Sequence, residues 1–118
     1  MLCVNYDSLE ENMASTKEYV DYVCEQVSKK YSVRERKMFG EYMVYINEKP
    51  ILLICDNITY VKMLDCIFDK MCNQAKGFPY SGSKEHYILP IDDYDFSNEI
   101  IDILEPVTKI PKKKTKKD

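Results

Sequence analysis

Between Val33 and Lys62 the chain repeatedly reverses direction with very few residues available for each reversal. Tyr42-Met43-Val44-Tyr45-Ile46 is rich in aromatic and β-branched residues, the composition of a strand. Asn47-Glu48-Lys49 then leads into Pro50 and a nearly all-apolar run, Ile51 to Cys55. Asp56-Asn57 separates that run from Ile58-Thr59-Tyr60-Val61-Lys62. Turns this short cannot carry the chain across a sheet, so consecutive segments must pair antiparallel, as a meander. The apolar run Ile51–Cys55 is expected at the centre of that sheet. Asp56 and Asn57 both tolerate left-handed backbone angles and suit a tight hairpin turn. Ahead of them, Val33 to Met38 is β-compatible but heavily charged, as an exposed or edge strand would be. Gly40 ends it, permitting a backbone conformation or close approach that a side chain would block.

Helical patterns flank the meander. Ser15 with Glu18 three residues on matches a capping box, so a helix is expected to begin near Thr16. Its apolar stripe is Val20, Val23, Cys24, Val27 and Tyr31, with Lys29-Lys30 suited to the negative pole of the helix dipole. A second helix of two to three turns fits Leu64 to Asn73 or Ala75, with Leu64, Ile67, Phe68 and Met71 on one face. Gly77-Phe78-Pro79-Tyr80-Ser81-Gly82-Ser83 is a loop, Tyr87-Ile88-Leu89 a short strand ended by Pro90. A last helix is expected from Ser97, stopping or kinking near Pro106. The order helix, meander, helix, strand, helix gives an α+β fold, a two-layer sandwich with an antiparallel sheet and helices packed on one face. At 118 residues there is room for one such domain, expected over residues 13–108. Residues 1–12 read as an N-terminal extension, with Met13 a second start-like position, and 109–118 as a lysine-rich, disordered tail.

Charge separates body from tail. Residues 112–118 hold five lysines and one aspartate; without them the chain carries 12 basic and 19 acidic residues, a formal charge of −7. An acidic body repels a phosphate backbone, so nucleic acid is expected only at Lys112, Lys113, Lys114, Lys116 and Lys117, if those are not simply solvated. The longest apolar run is too short for a membrane span, and the first residues lack the basic start and apolar stretch of a secretory signal. Five cysteines, odd in number and without a CxxC pair, are expected free in a reducing cytoplasm. Cys24 and Cys55 read as small core residues. With His86 the only imidazole, no metal site is expected.

Reactive constellations are sparse. There is no Walker loop, dinucleotide fingerprint or nucleophile elbow. No cofactor is expected. A Cys–His pair would have to use His86, which reads instead as a surface or half-buried side chain at the start of a strand. Asp92, Asp93 and Asp95, just ahead of the last helix, read as capping or turn residues, not a carboxylate pair. Ten tyrosines are the unusual feature. Most are expected to fill the gap between sheet and helices, while Phe78 and Tyr80 on the loop suit an interface.

The run Arg36-Lys37-Met38-Phe39-Gly40-Glu41-Tyr42, followed by Leu53-Ile54-Cys55-Asp56-Asn57 and Tyr60-Val61-Lys62, resembles the N-terminal domain of the TfoX/Sxy family. Gly77-Phe78-Pro79-Tyr80-Ser81-Gly82-Ser83-Lys84 is similar to that family's second signature. The resemblance covers about residues 13–108 and implies a compact α+β domain, cytoplasmic and bacterial, linked to regulation of competence for DNA uptake. Here it would stand alone, without the C-terminal helical domain of full-length members.

Two functional expectations follow. The first is a non-enzymatic regulatory module acting through a protein partner, in transcription regulation if the resemblance extends that far. The alternative is a small anionic-ligand-binding protein or cryptic enzyme with a pocket near His86. Both draw on the same candidates, Arg36, Lys37, Lys62, Phe78, Tyr80, Lys84 and His86; convergence of the four cations would make a basic spot on an acidic body. An edge strand and many tyrosines also suit a homodimer.

Overall fold

A computed structural model describes residues 15–38 and 41–111. The N-terminal extension, Cys3, Phe39, Gly40 and Lys112, Lys113, Lys114, Lys116 and Lys117 of the tail lie outside the described residues. The elements in chain order are α1 (Lys17–Gln26), β1 (Val33–Met38), β2 (Glu41–Ile46), β3 (Lys49–Cys55), β4 (Ile58–Lys62), a 3-10 turn (Asp65–Ile67), α2 (Phe68–Met71), β5 (Lys76–Gly77), β6 (His86–Ile88) and α3 (Tyr94–Val107). All strand pairings are antiparallel, in the order β1-β2-β3-β4-β6-β5. The fold is α+β, with the helices on one face of a six-stranded sheet.

The meander follows from two tight turns. Asn47 and Glu48 (φ 55° and 67°) and Asp56 and Asn57 (φ 54° and 57°) all occupy the left-handed region. Two such residues in succession give the type I′ geometry whose twist matches that of flanking strands. Each tip is also held from outside. The Ser32 N–H donates to Asn47 Oδ1, the Thr16 N–H to Asn57 Oδ1, and the Asn57 N–H to Ser15 Oγ. Register slips between Val44 and Tyr45, which face Leu52 and Pro50, leaving Ile51 as the extra residue of a bulge. A proline that cannot donate to the ladder is tolerated at such a place.

Alternation sorts the strands into two apolar sets. Tyr42, Val44, Ile46, Leu52, Ile54, Val61 and Tyr87 face the helices, packing with Val20 and Val23 of α1 and Ile100, Ile101 and Leu104 of α3. Leu53, Cys55 and Tyr60 form a second cluster with Met43, Ile58 and Ile88, on the face that no described helix covers. Serving both sets explains why β3 is apolar at nearly every position. Tyr60 therefore belongs to the far face, not to the gap between sheet and helices where most tyrosines were expected.

Several local expectations are corrected. The cap of α1 is Thr16, whose Oγ1 accepts from the Tyr19 N–H, while Ser15 is engaged by Asn57. The helix stops at Gln26, so Lys29 and Lys30 lie beyond it. The stripe outlasts the helix because Val27 is buried and Tyr31 packs against the core from irregular backbone. In place of a two- to three-turn helix after Leu64 there is a 3-10 turn and a single α turn. Ile67 and Met71 are buried there, but Phe68 is 55% exposed. β5 is an addition, too short for an alternating pattern. It sits outside β6, which itself pairs with β4, so the last two strands leave sequence order. The last helix starts three residues earlier than Ser97, capped by Asp93 Oδ1 accepting from the Phe96 N–H. It ends just past Pro106, where the Thr108 N–H and Oγ1–H both donate to the Leu104 carbonyl. No described helix is long and apolar enough to cross a membrane.

Candidate functional site

Among the described residues, Lys17 binds Asp21 and Glu35, Lys30 binds Asp102, Arg34 binds Glu48, Lys49 binds Glu105 and Lys70 binds Glu99. Arg36, Lys37, Lys62 and Lys84 have no ion pair among the described residues.

Strand register decides which of these four meet. Arg36 pairs with Met43 and Lys37 with Tyr42. Directly opposed residues share a face, so Arg36 points to the far side and Lys37 to the helix side. Three strand spacings, about 14 Å, separate β1 from β4 in the observed order. Neither Arg36 nor Lys37 joins the other two cations. The basic spot that convergence of all four cations would have made is not what the fold builds.

A smaller group does come together. Lys62 is directly opposite His86 in the β4–β6 ladder, on the face of Tyr60 and Ile88. The loop after β5 folds back over that end of the sheet. Its turn, Tyr80-Ser81-Gly82-Ser83, is closed by the Ser83 N–H donating to the Tyr80 carbonyl at 3.0 Å. Gly82 at φ +87° supplies the positive angle that the third position of a type II turn requires. The result is a cleft of about 520 Å³ whose lining includes Lys62, Tyr80, Ser83, Lys84, Glu85 and His86. A smaller depression of about 120 Å³ shares Lys62, Tyr80 and His86 and extends over Met43, Leu53 and Tyr60. Lys62 also borders a third hollow, about 410 Å³, beside the end of α3.

Orientation of the imidazole is set by its neighbours. His86 Nδ1 lies 2.8 Å from the Lys84 carbonyl. A carbonyl only accepts, so Nδ1 carries the proton and Nε2 is left with its lone pair in the neutral ring. Tyr60 meets the ring edge-on, centroids 6.3 Å apart at 85°. The Ser83 hydroxyl donates to the same Lys84 carbonyl, so it faces a ligand only as an acceptor. The Lys62 and Lys84 ammonium groups, the Tyr80 hydroxyl and His86 Nε2 have no hydrogen-bond partner among the described residues. Phe78 does not line the cleft; it stands beside it, 62% exposed, with Tyr80 48% exposed.

Thiols contribute nothing to this site. Cys66 is exposed and sits on the 3-10 turn. Burial, reinforced by Glu35, pushes the Cys24 thiol up to about 11. Burial, reinforced by Glu41, pushes Cys55 up to about 12. Both are poor nucleophiles at neutral pH. The one acidic lining residue that sequence reasoning left out is Glu85; its position next to His86 was visible, but not the turn that carries it into the cleft.

No protein-family model matches the chain, and no solved structure matches it. A relative from Spirochaeta aurantia, described as an uncharacterized 12.7 kDa protein in the trpE 5′ region, is 36% identical over 76 residues. The match covers 64% of this chain and 66% of that relative, a little under two thirds of the relative's length.

Proposed function

We propose that this chain is a non-catalytic interaction module whose contact surface is the loop from Gly77 to Glu85 with the adjoining end of β4. The observation that carries the reading is the pair of exposed aromatics, Phe78 and Tyr80, next to two lysines that have no hydrogen-bond or ion-pair partner among the described residues. Aromatic side chains supply large contact area at low entropic cost, and hot spots are enriched in them. Flanking cations on an otherwise acidic body favour a partner that brings negative charge to this spot. The resemblance to the TfoX/Sxy N-terminal domain adds the setting: a cytoplasmic bacterial protein whose partner takes part in transcription regulation.

The experiment is site-specific photo-crosslinking in cells. A crosslinking residue at position 78 or 80 should capture one defined protein, and the same residue at position 68, exposed on the helix layer, should not. Capture should fall about a hundredfold in the Lys62→Glu/Lys84→Glu double variant, about tenfold for each of two charge-assisted contacts. Identical capture from all three positions, or none from 78 and 80, would refute the reading. The alternative, a small anionic ligand, is favoured by the cleft that Tyr80, Lys62 and Lys84 line.

A further inference from the structure

We infer that the Lys62–Lys84–His86 cleft binds the phosphate group of a small organic phosphate. Its volume, about 520 Å³, falls in the range of small-molecule sites, and its donors are of the kind a phosphate needs. Lysine ammoniums are compact point charges that suit a tetrahedral anion presenting oxygens in several directions. Planar carboxylates are better matched by the arginine fork, and no arginine lines the cleft. The imidazole adds adaptability. With Nδ1–H tied to the Lys84 carbonyl, neutral His86 accepts at Nε2 from the P–OH of a monoanion, and the imidazolium donates from Nε2 to a dianion. Tyr80 OH offers a further donor, and its half-exposed ring a surface for the organic part.

Glu85 opposes this. It lines the same cleft, so Lys62, Lys84 and Glu85 together hold one net positive charge before His86 is counted. The body beyond is acidic, which removes long-range steering. Occupancy therefore depends on short-range contacts, and inorganic phosphate alone should bind weakly, in the millimolar range. This ligand site stands whether or not the neighbouring aromatics seat a protein.

The test is an NMR titration of the full chain with inorganic phosphate and with glycerol 2-phosphate, at ionic strength held constant with chloride. Saturable shifts should be confined to the amides of residues 60–63 and 80–88. Glycerol 2-phosphate should bind more tightly than phosphate. Lys62→Gln and Lys84→Gln should each weaken binding about tenfold, as for one lost hydrogen bond to a charged group, whereas Glu85→Gln should strengthen it. Both lysines are exposed, so unchanged spectra outside the cleft will show that the variants fold. Shifts that never saturate, or that appear equally at Lys29 and Lys109, would overturn the inference, a result the unmodified protein alone can give. Succinate binding as tightly as phosphate would overturn the assignment to phosphate.

Discussion

Asn98 is the perturbation with the largest consequence for its size. It lies in the first half of α3, 8% exposed. Its Nδ2 donates to the Gln26 carbonyl at 2.8 Å and to the Tyr94 carbonyl at 2.9 Å, and its Oδ1 accepts from the Ser28 N–H at 2.8 Å. One amide thus satisfies backbone groups where α1 ends and the chain turns toward β1. Replacement by alanine removes all three bonds and strands the Ser28 N–H in a half-buried position. At about 1 kcal/mol net for each bond, Asn98→Ala should cost about 3 kcal/mol. At about 5 °C per kcal/mol for a domain of this size, the melting temperature should fall by about 15 °C. Urea unfolding followed by circular dichroism measures it, with the slope against denaturant unchanged if only stability is altered. Asn98→Asp sharpens the test, because it preserves shape and the Oδ1 acceptor but turns a second acceptor toward two carbonyls. It should be at least as damaging as alanine at neutral pH. A loss below about 1 kcal/mol for Asn98→Ala, or an aspartate variant as stable as the parent, would refute the view that this amide fastens α1 to α3.

Two further outcomes follow from the side-chain environments. Maleimide at neutral pH, read by mass spectrometry, should label Cys66 promptly and Cys24 and Cys55 only after denaturant is added, because burial raises both thiols to about 11 and about 12; labelling of native Cys55 as fast as Cys66 would contradict this. Stability should also fall in acid. The Tyr31 hydroxyl, and then Lys30, hold Asp102 below its ordinary value, and the Lys49 ammonium, and then Asn47, do the same for Glu105. Carboxylates whose folded value is depressed contribute stability that is present above the unfolded carboxylate value and lost as pH falls through the folded one. Tyr31→Phe and Glu105→Gln should each flatten the acid limb of unfolding free energy against pH; an unchanged slope in both would show that these groups do not drive it.

Asp102 and Glu105 lie on the same helix, yet their surroundings differ. Asp102 is well exposed, whereas Lys49 and Glu105 are only 19% and 20% exposed, the most buried of the described ion pairs. Lys49 also donates to the Glu105 carbonyl at 2.9 Å. This double attachment joins the start of β3 to the end of α3, the stretch where Pro106, inside the helix, has no N–H to give the helical ladder.

Local rules reached far into this protein. The second hairpin was legible because Asp56 and Asn57 both tolerate left-handed angles; the first was expected to turn over Asn47-Glu48-Lys49, whereas Lys49 and Pro50 already belong to β3 and the reversal takes only Asn47 and Glu48. β4 was legible to the residue, and Asp93 was one of three aspartates read together as capping or turn residues, though the helix was expected only from Ser97. What periodicity could not convey was where a pattern stops being helical. Val27 and Tyr31 continue the stripe of α1 because the core accepts apolar side chains from irregular backbone as readily as from a helix. β5 has only two residues, and a period-2 pattern needs more than two to be seen.

The binding region divides in the same way. Phe78, Tyr80, Lys62, Lys84 and His86 were singled out from residue type and loop chemistry, and Lys84 and His86 lie close to Tyr80 in the chain. Whether they would meet Lys62, and whether Arg36 and Lys37 would join them, depended on strand order. The pairing of β6 with β4 puts His86 directly opposite Lys62, while the meander carries Arg36 to the far edge and turns Lys37 to the other face. Residue chemistry, turn geometry and the alternation of a strand act over a few bonds and can be read from neighbours in the chain. The order of strands in a sheet is chosen by which apolar faces cover one another across the whole molecule, so only the assembled fold decided which cations share a cleft.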